Sequence, residues 1–315
     1  MAFQQTEALV KAIKDNISRV IIGKEKEIEL LLCAMLSGGH VLLEDVPGTG
    51  KTTLAKALAK SISCRFARVQ FTPDLLPADI TGMRIYDQHS GSFSFIKGPA
   101  FTNILLADEI NRATPRTQSA LLECMEERQI TEGGVTYPLE APFVVIATQN
   151  PVETQGTFPL PEAQLDRFLM KLSLGYPNKE ETVALMQRFI RRQPLEELNP
   201  VATGEALITA AQQCREVQVA EDVMRYMAAL CEAARDADKV RLGPSPRALL
   251  ALMRACQALA AIRGRGYVIP DDVKELAIPV LAHRIVLRGV SYQTDTAAFV
   301  SGLLEKIPVP TEAIS

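Results

Sequence analysis

The residues with the most evident chemistry are Pro47-Gly48-Thr49-Gly50-Lys51-Thr52. A short apolar run, Val41-Leu42-Leu43, precedes them, and residues 52–63 read as helix. Glycines between a buried strand and a helix let the backbone curl until successive N–H groups point at one place. The helix start adds the positive end of its dipole, so this loop would cradle phosphate oxygens. Lys51 would reach the β- and γ-phosphates of a nucleotide, and the Thr52 hydroxyl would hold Mg2+. The pattern departs from the usual phosphate loop at one place, where Asp45 stands in the position of the first glycine. Asp tolerates left-handed backbone angles better than most residues, so the turn can survive. A carboxylate pointing into the loop would nonetheless repel phosphate.

Farther along, the apolar residues 104–107 run into Asp108 and Glu109. Asp108 would ligate Mg2+ through water. Glu109 would orient and polarise an attacking water as general base. A second apolar run, 143–148, leads into Gln149-Asn150-Pro151. An amide at a strand tip beside Glu109 would hold the same water near the γ-phosphate.

These residues need a scaffold, and the chain supplies its pattern. Short apolar runs at 41–43, 66–71, 104–107, 143–148 and 168–174 alternate with helical stretches, which predicts a parallel α/β sheet. Leu9, Ile13, Ile17 and Ile21 recur every four residues and predict a helix at the start. After the break at Gly23, Ile28, Leu31, Leu32 and Met35 predict another. Two segments read as inserted hairpins. Residues 83–98 turn at His89-Ser90-Gly91-Ser92, and residues 129–139 turn at Glu132-Gly133-Gly134. Tyr176-Pro177-Asn178 marks a boundary between residues 1–176 and 177–315. Past it there is no strong strand signal, and helices are predicted at about 178–192, 203–215, 220–236, 246–262, 271–284 and 293–305.

Composition bounds what such a chain does. Its 315 residues suit about two domains. Apolar residues at 47% and charged residues at 23% exclude a mainly disordered chain. A net charge of −3 argues against a basic nucleic-acid surface. The lack of Trp argues against binding single strands by stacking many bases. The cysteines, at 33, 64, 124, 214, 231 and 256, form no CxxC pair, and His40, His89 and His283 are scattered. They read as structural residues of a reducing cytoplasm, with neither a zinc site nor a disulfide framework. The first residues, MAFQQTEALVKAIKDN, lack the apolar core of a signal peptide, and no stretch approaches a membrane span.

Together DVPGTGKTTLAKALA, ILLADEINRATPRTQSALLECMEERQIT, VIATQNP, LPEAQLDRF and GPSPRALLAL resemble the MoxR family of AAA+ ATPases, over nearly the whole chain. The resemblance implies a P-loop NTPase with a parallel five-stranded sheet and a helix-2 insert, followed by a smaller all-helical lid. It implies Mg2+-dependent hydrolysis of ATP to ADP and phosphate. Val46, Pro47, Gly48, Thr49, Gly50, Lys51, Thr52 and Thr53 would hold the nucleotide, with Ile22 and Gly23 near adenine. Asn150 matches sensor 1, Arg167 in LDRF the arginine finger of a neighbouring subunit's site, and Arg247 in PSPRA sensor 2 on the lid. From spacing alone both arginines read as surface charges; the resemblance gives them roles. A planar guanidinium stabilises the charge that hydrolysis spreads over the γ-phosphate oxygens, an effect worth roughly 10³–10⁵ in rate. Arg112 also matches the family, without an assigned role. Residues 83–98 fall where the family carries its helix-2 insert, and residues 129–139 where it carries its pre-sensor hairpin. Family members form hexameric rings, work with proteins carrying a von Willebrand factor A domain, and act as chaperones that assemble or metal-load client proteins. Two related readings share the motifs: a nucleotide-dependent scaffold with slow hydrolysis, and the ATPase subunit of a magnesium chelatase. A DNA-acting AAA+ machine is disfavoured by the charge and by the missing GAFTGA loop, so no DNA partner is expected.

Overall fold

Five short apolar runs hydrogen-bond into one sheet in the computed structural model of the chain, which describes residues 2–89, 91–151, 156–190, 193–289 and 294–310. Two helices come first, α1 (Ala2–Ser18) and α2 (Glu25–Leu36). Then follow β1 (Val41–Glu44), α3 (Lys51–Ser61), β2 (Phe66–Gln70), α4 (Pro77–Thr81) and the hairpin β3 (Gly82–Asp87) with β4 (Ser92–Lys97). The core continues with β5 (Ile104–Asp108), α5 (Pro115–Glu127), the hairpin β6 (Gln129–Glu132) with β7 (Val135–Pro138), β8 (Val144–Gln149), α6 (Glu162–Leu165) and β9 (Met170–Leu172).

The sheet order is β2-β5-β8-β1-β9, and every recorded pairing in it is parallel. The period of two divides its side chains between two layers. Val41, Leu43, Ile104, Leu106, Val144 and Ile146 face one core, while Leu42, Leu105, Ala107, Val145 and Ala147 face the other. With both faces covered, β1, β5 and β8 are buried almost throughout, which is why they read as continuous apolar runs. β1 pairs with β8 on one side and β9 on the other. The loop leaving β1 thus opens at the carboxyl ends of the strands, where α/β sheets bind their ligands.

The first helix buries Val10, Ile13 and Ile17. Ile21, expected to continue that stripe, lies beyond the helix end in the turn before α2. Both expected hairpins form. Phe95 of the first stacks on Tyr137 of the second at 4.3 Å, and Phe101 meets Phe95 and Tyr137 edge-on, so the two inserts touch.

Beyond Tyr176 come α7 (Lys179–Phe189), α8 (Gly204–Cys214), α9 (Glu221–Asp236), β10 (Val240–Leu242), α10 (Pro246–Ile262), α11 (Pro270–Leu281), β11 (Val286–Leu287) and α12 (Thr294–Lys306). The antiparallel ladder β10–β11 corrects the expectation of no strand here. Pieces of three and two residues are too short to show a period. The helix expected to reach 284 ends at Leu281 and tightens into a 3₁₀ turn, Ala282–Arg284. Residues 191, 192 and 293 of the expected helices, and Ser90 of the expected turn, lie outside the described residues. Helices α8 and α10 lie against α1 and α2, and Leu31, Leu252, Ala255 and Leu259 are fully buried in one core that joins the late helices to the first ones. No described helix is long and apolar enough to cross a membrane.

His40, just before β1, is buried beneath the amino end of the sheet. Its Nδ1 accepts the Val145 N–H at 2.9 Å and its Nε2 lies 3.0 Å from the Met125 carbonyl, so the ring is neutral with its proton on Nε2. Burial pushes its pKa down to about 4, from an ordinary 6.5. His283, also buried, is pushed down to about 3. Unfolded chain therefore takes up protons below pH 6.5 that the folded protein refuses until about pH 4, and stability falls as pH drops through that window. For His40 alone the loss is roughly 3 kcal/mol. His40→Gln, which can still donate and accept, is expected to flatten the stability–pH slope between pH 6.5 and 4 in urea titrations. An unchanged slope would refute the buried neutral form.

Candidate functional site

The loop between β1 and α3 holds two glycines in the left-handed region, Gly48 at φ 87° and Gly50 at φ 90°. A Cβ on either would meet nothing within 4 Å, so the backbone angle, not crowding, demands glycine. Gly50 caps α3, and Lys51, Thr52 and Thr53 form its first turn. The first N–H groups of a helix have no partner within it, and here they open on the loop. The Lys51 ammonium donates to the carbonyls of Asp45 (2.8 Å) and Val46 (3.1 Å). Burial pulls its pKa below the usual value against the attraction of Asp45, Asp108 and Glu109. Asp45 itself turns away from the loop. Its carboxylate accepts the N–H groups of Leu174 (2.6 Å) and Gly175 (3.0 Å) and the Ser173 hydroxyl (2.8 Å), beyond β9. The carboxylate therefore ties the loop to the sheet and does not project into it.

Asp108 ends β5, and Glu109 follows in a left-handed conformation, φ 56°, ψ 51°. For a residue with a Cβ this costs on the order of 1–3 kcal/mol and persists only when neighbours impose it. The Thr148 hydroxyl does so. It accepts the Glu109 N–H at 2.8 Å and donates to Asp108 Oδ1 at 2.6 Å. Residues of β2 hold the side chains. Gln70, paired with Asp108, donates to Glu109 Oε2 at 2.8 Å, and Arg68 bonds Asp108 Oδ2 at 2.7 and 3.0 Å. Arg112 adds a 3.0 Å bond to Glu109 Oε2. The next strand brings Asn150 alongside, because Gln149 pairs with Glu44 and accepts the Asp45 N–H. Ile22 and Gly23 lie in the turn between α1 and α2, where Gly23 leaves room for the Glu181 side chain of α7.

Arg167 and Arg247 lie elsewhere. They share one carboxylate: Arg167 Nε is 3.2 Å from Glu126 Oε2, and Arg247 Nη1 is 2.9 Å from Glu126 Oε1. Both line a cleft of about 260 Å³ with Gly38, Gly39, His40 and Leu169. Those residues precede β1 and β9, so the cleft lies at the amino ends of the strands. The phosphate loop lies beyond the carboxyl end of β1, four residues or about 13 Å farther on.

Comparison with known proteins agrees with this geometry. Residues 40–170 match the ATPase family associated with various cellular activities (AAA), and residues 232–301 match an AAA lid domain. A crystal structure from Cytophaga hutchinsonii superposes with a TM-score of 0.90 at 39% identity, covering 98% of this chain and 97% of that one. The chain is 46% identical to protein YeaC of Bacillus subtilis over the full length of both. It is 43% identical to chaperone MoxR1 of Mycobacterium tuberculosis, over 90% of this chain and 77% of that one. The chain belongs to the MoxR family of AAA+ ATPases. A MoxR ATPase binds and hydrolyses ATP, and the five-stranded sheet with its helical lid is the AAA+ fold.

For a MoxR ATPase the donor set suits Mg2+. Thr52 offers a hydroxyl, and each Asp108 oxygen retains accepting capacity beside its bond to Arg68 or Thr148. Among the described residues no group of three or more His, Cys, Asp or Glu forms a metal cage. Such a cage is not needed where Mg2+ takes one or two protein ligands plus phosphates and water. The sequence reading had missed Arg68, Gln70 and Thr148. On a strand all three read as ordinary, and only the register brings them to the acids.

Asp45→Ala would strand the Leu174 and Gly175 N–H groups and is expected to lower stability by about 2–4 kcal/mol. Urea denaturation measures this. The folded variant should keep its nucleotide affinity, and a large gain in affinity would show that the carboxylate faces the phosphates after all.

Proposed function

We propose that the chain hydrolyses ATP within a homo-oligomeric ring, six copies by the family resemblance, and uses the cycle to remodel or activate a protein partner. In this reading residues 1–176 form the nucleotide core and residues 177–315 the lid. Val46 to Thr53 bind the phosphates, and Lys51 leaves the loop carbonyls for the β- and γ-phosphate oxygens. Thr52 and Asp108 would hold Mg2+, which screens the phosphate charge when bound. Glu109 takes a proton from the attacking water, and Asn150 orients that water. Ile22 and Gly23 lie beside the adenine. Arg167 and Arg247 come from the adjacent copy and neutralise charge on the γ-phosphate.

The observation that carries the two-copy reading is the placement of the basic and acidic groups at opposite ends of one parallel sheet. An arginine at the amino ends cannot reach its own chain's phosphate loop around a strand about 13 Å long. A chaperone-like role draws support from the name of MoxR1. It also fits the exposed Met83, Ile85 and Ile96, which share one face of the β3–β4 hairpin, an apolar patch of the kind that marks a protein contact. A partner with a von Willebrand factor A domain follows from the family resemblance, and a cytoplasmic setting suits the six unbridged cysteines.

Glu109→Gln should still bind ATP, with turnover lowered by roughly 10²–10⁴; wild-type turnover would remove Glu109 as general base. Lys51→Ala and Arg167→Ala should each be inactive alone. Mixed, they should recover part of the turnover, because some contacts then pair an intact loop with an intact arginine. No recovery at any ratio would exclude action between copies.

A further inference from the structure

We propose that Glu126 is a positioning residue that delivers Arg167 and Arg247 as a pair to the nucleotide of the adjacent copy. The proposal rests on the two-copy reading above. Glu126 stands in the last turn of α5, and its carboxylate is divided, with Oε2 on Arg167 Nε and Oε1 on Arg247 Nη1. Arg167 is fixed a second time, by a 2.8 Å bond from Nη1 to the Leu122 carbonyl one turn earlier on α5. Two points on one helix thus set the plane of its guanidinium. Among the described residues, Nη2 of Arg167 and Nε and Nη2 of Arg247 have no recorded hydrogen bond.

Each charge is badly placed by itself. Arg247 is the second residue of α10, at the positive end of that helix dipole, and Glu126 sits at the negative end of α5. Each becomes favourable through the other. The cleft also holds Arg128, Arg254 and Arg284. Its other carboxylate, Asp166, is engaged by Arg284 and by the Ser245 hydroxyl. His40 is held neutral. Glu126 is therefore the acid that keeps Arg167 and Arg247 from repelling one another and the rest of the cluster. It also ties a residue that precedes β9 to the first turn of a lid helix, so the two arginines move together. Among the described residues its recorded partners are these two arginines, and neither the phosphate loop nor the Asp108–Glu109 end is one of them.

Steady-state hydrolysis by the full-length protein tests this with Glu126→Ala, Glu126→Asp, Arg167→Ala and the double variant Glu126→Ala/Arg167→Ala. Arg167→Ala should lower kcat by roughly 10³ or more. Glu126→Ala should lower it roughly 10- to 100-fold, as expected for misplaced groups, with KM and sedimentation unchanged. Glu126→Asp, which keeps the charge on a shorter arm, should recover much of the loss. The double variant should lose less than the product of the two single effects, because Glu126 acts in part through that arginine and its remaining effect runs through Arg247. Wild-type turnover in Glu126→Ala would overturn the proposal, as would a double variant that loses the product of the two single effects, or a raised KM with a dissolved ring. Arg167→Ala at the wild-type rate would instead overturn the two-copy reading on which the proposal rests.

Discussion

The register of β1, β5 and β8 is the constraint on which the nucleotide end depends. Each strand contributes its last residue or the one after it, and each would be useless one residue out of step, because a slip of one turns every side chain to the other face. Pairing Leu43 with Thr148 and Leu106 with Ile146 puts the Thr148 hydroxyl between Asp108 and the backbone of Glu109. That single hydroxyl satisfies one acid and holds the other residue in a strained conformation. The strain is tolerable because the strands around it are buried on both faces and cannot relax.

Much of the local geometry of the candidate nucleotide end was legible in the sequence for a physical reason. The roles proposed for Gly48, Gly50, Lys51 and Thr52 rest on backbone angle, helix start and side-chain reach, all local properties. Asp108 and Glu109 announce themselves as acids at the end of an apolar run. The direction of Asp45 was not legible, because its acceptors' partners lie 129 and 130 residues away. Arg68 and Gln70 alternate outward on an edge strand, where polar residues are ordinary. The shared carboxylate of Arg167 and Arg247 joins residues 121 apart on elements that only the packing of α10 brings together. The ladder β10–β11 escaped notice because two or three residues carry no period.

Electrostatics divides the molecule in a way that its net charge of −3 conceals. At one end three carboxylates surround a lysine whose own pKa is pulled down by burial. At the other, five arginines line one cleft with two acids. On the proposed reading phosphate would suit the first end only through the loop N–H groups, Lys51 and Mg2+, since Asp108 and Glu109 would repel it. The surplus positive charge sits at the end of the sheet away from that loop.

This division gives the subunit a head and a tail. On the two-copy reading, a lone chain contains no complete site. An open arc always has one site fewer than it has copies, and only a closed circle matches sites to copies. Contacts between unlike faces generate either closed rings or endless filaments, according to the rotation they impose. The same asymmetry spreads damage: a copy that has lost both its loop and its arginines disables two sites, its own and that of one neighbour. Hydrolysis in such an assembly reports on closure as much as on the chemistry of any one chain.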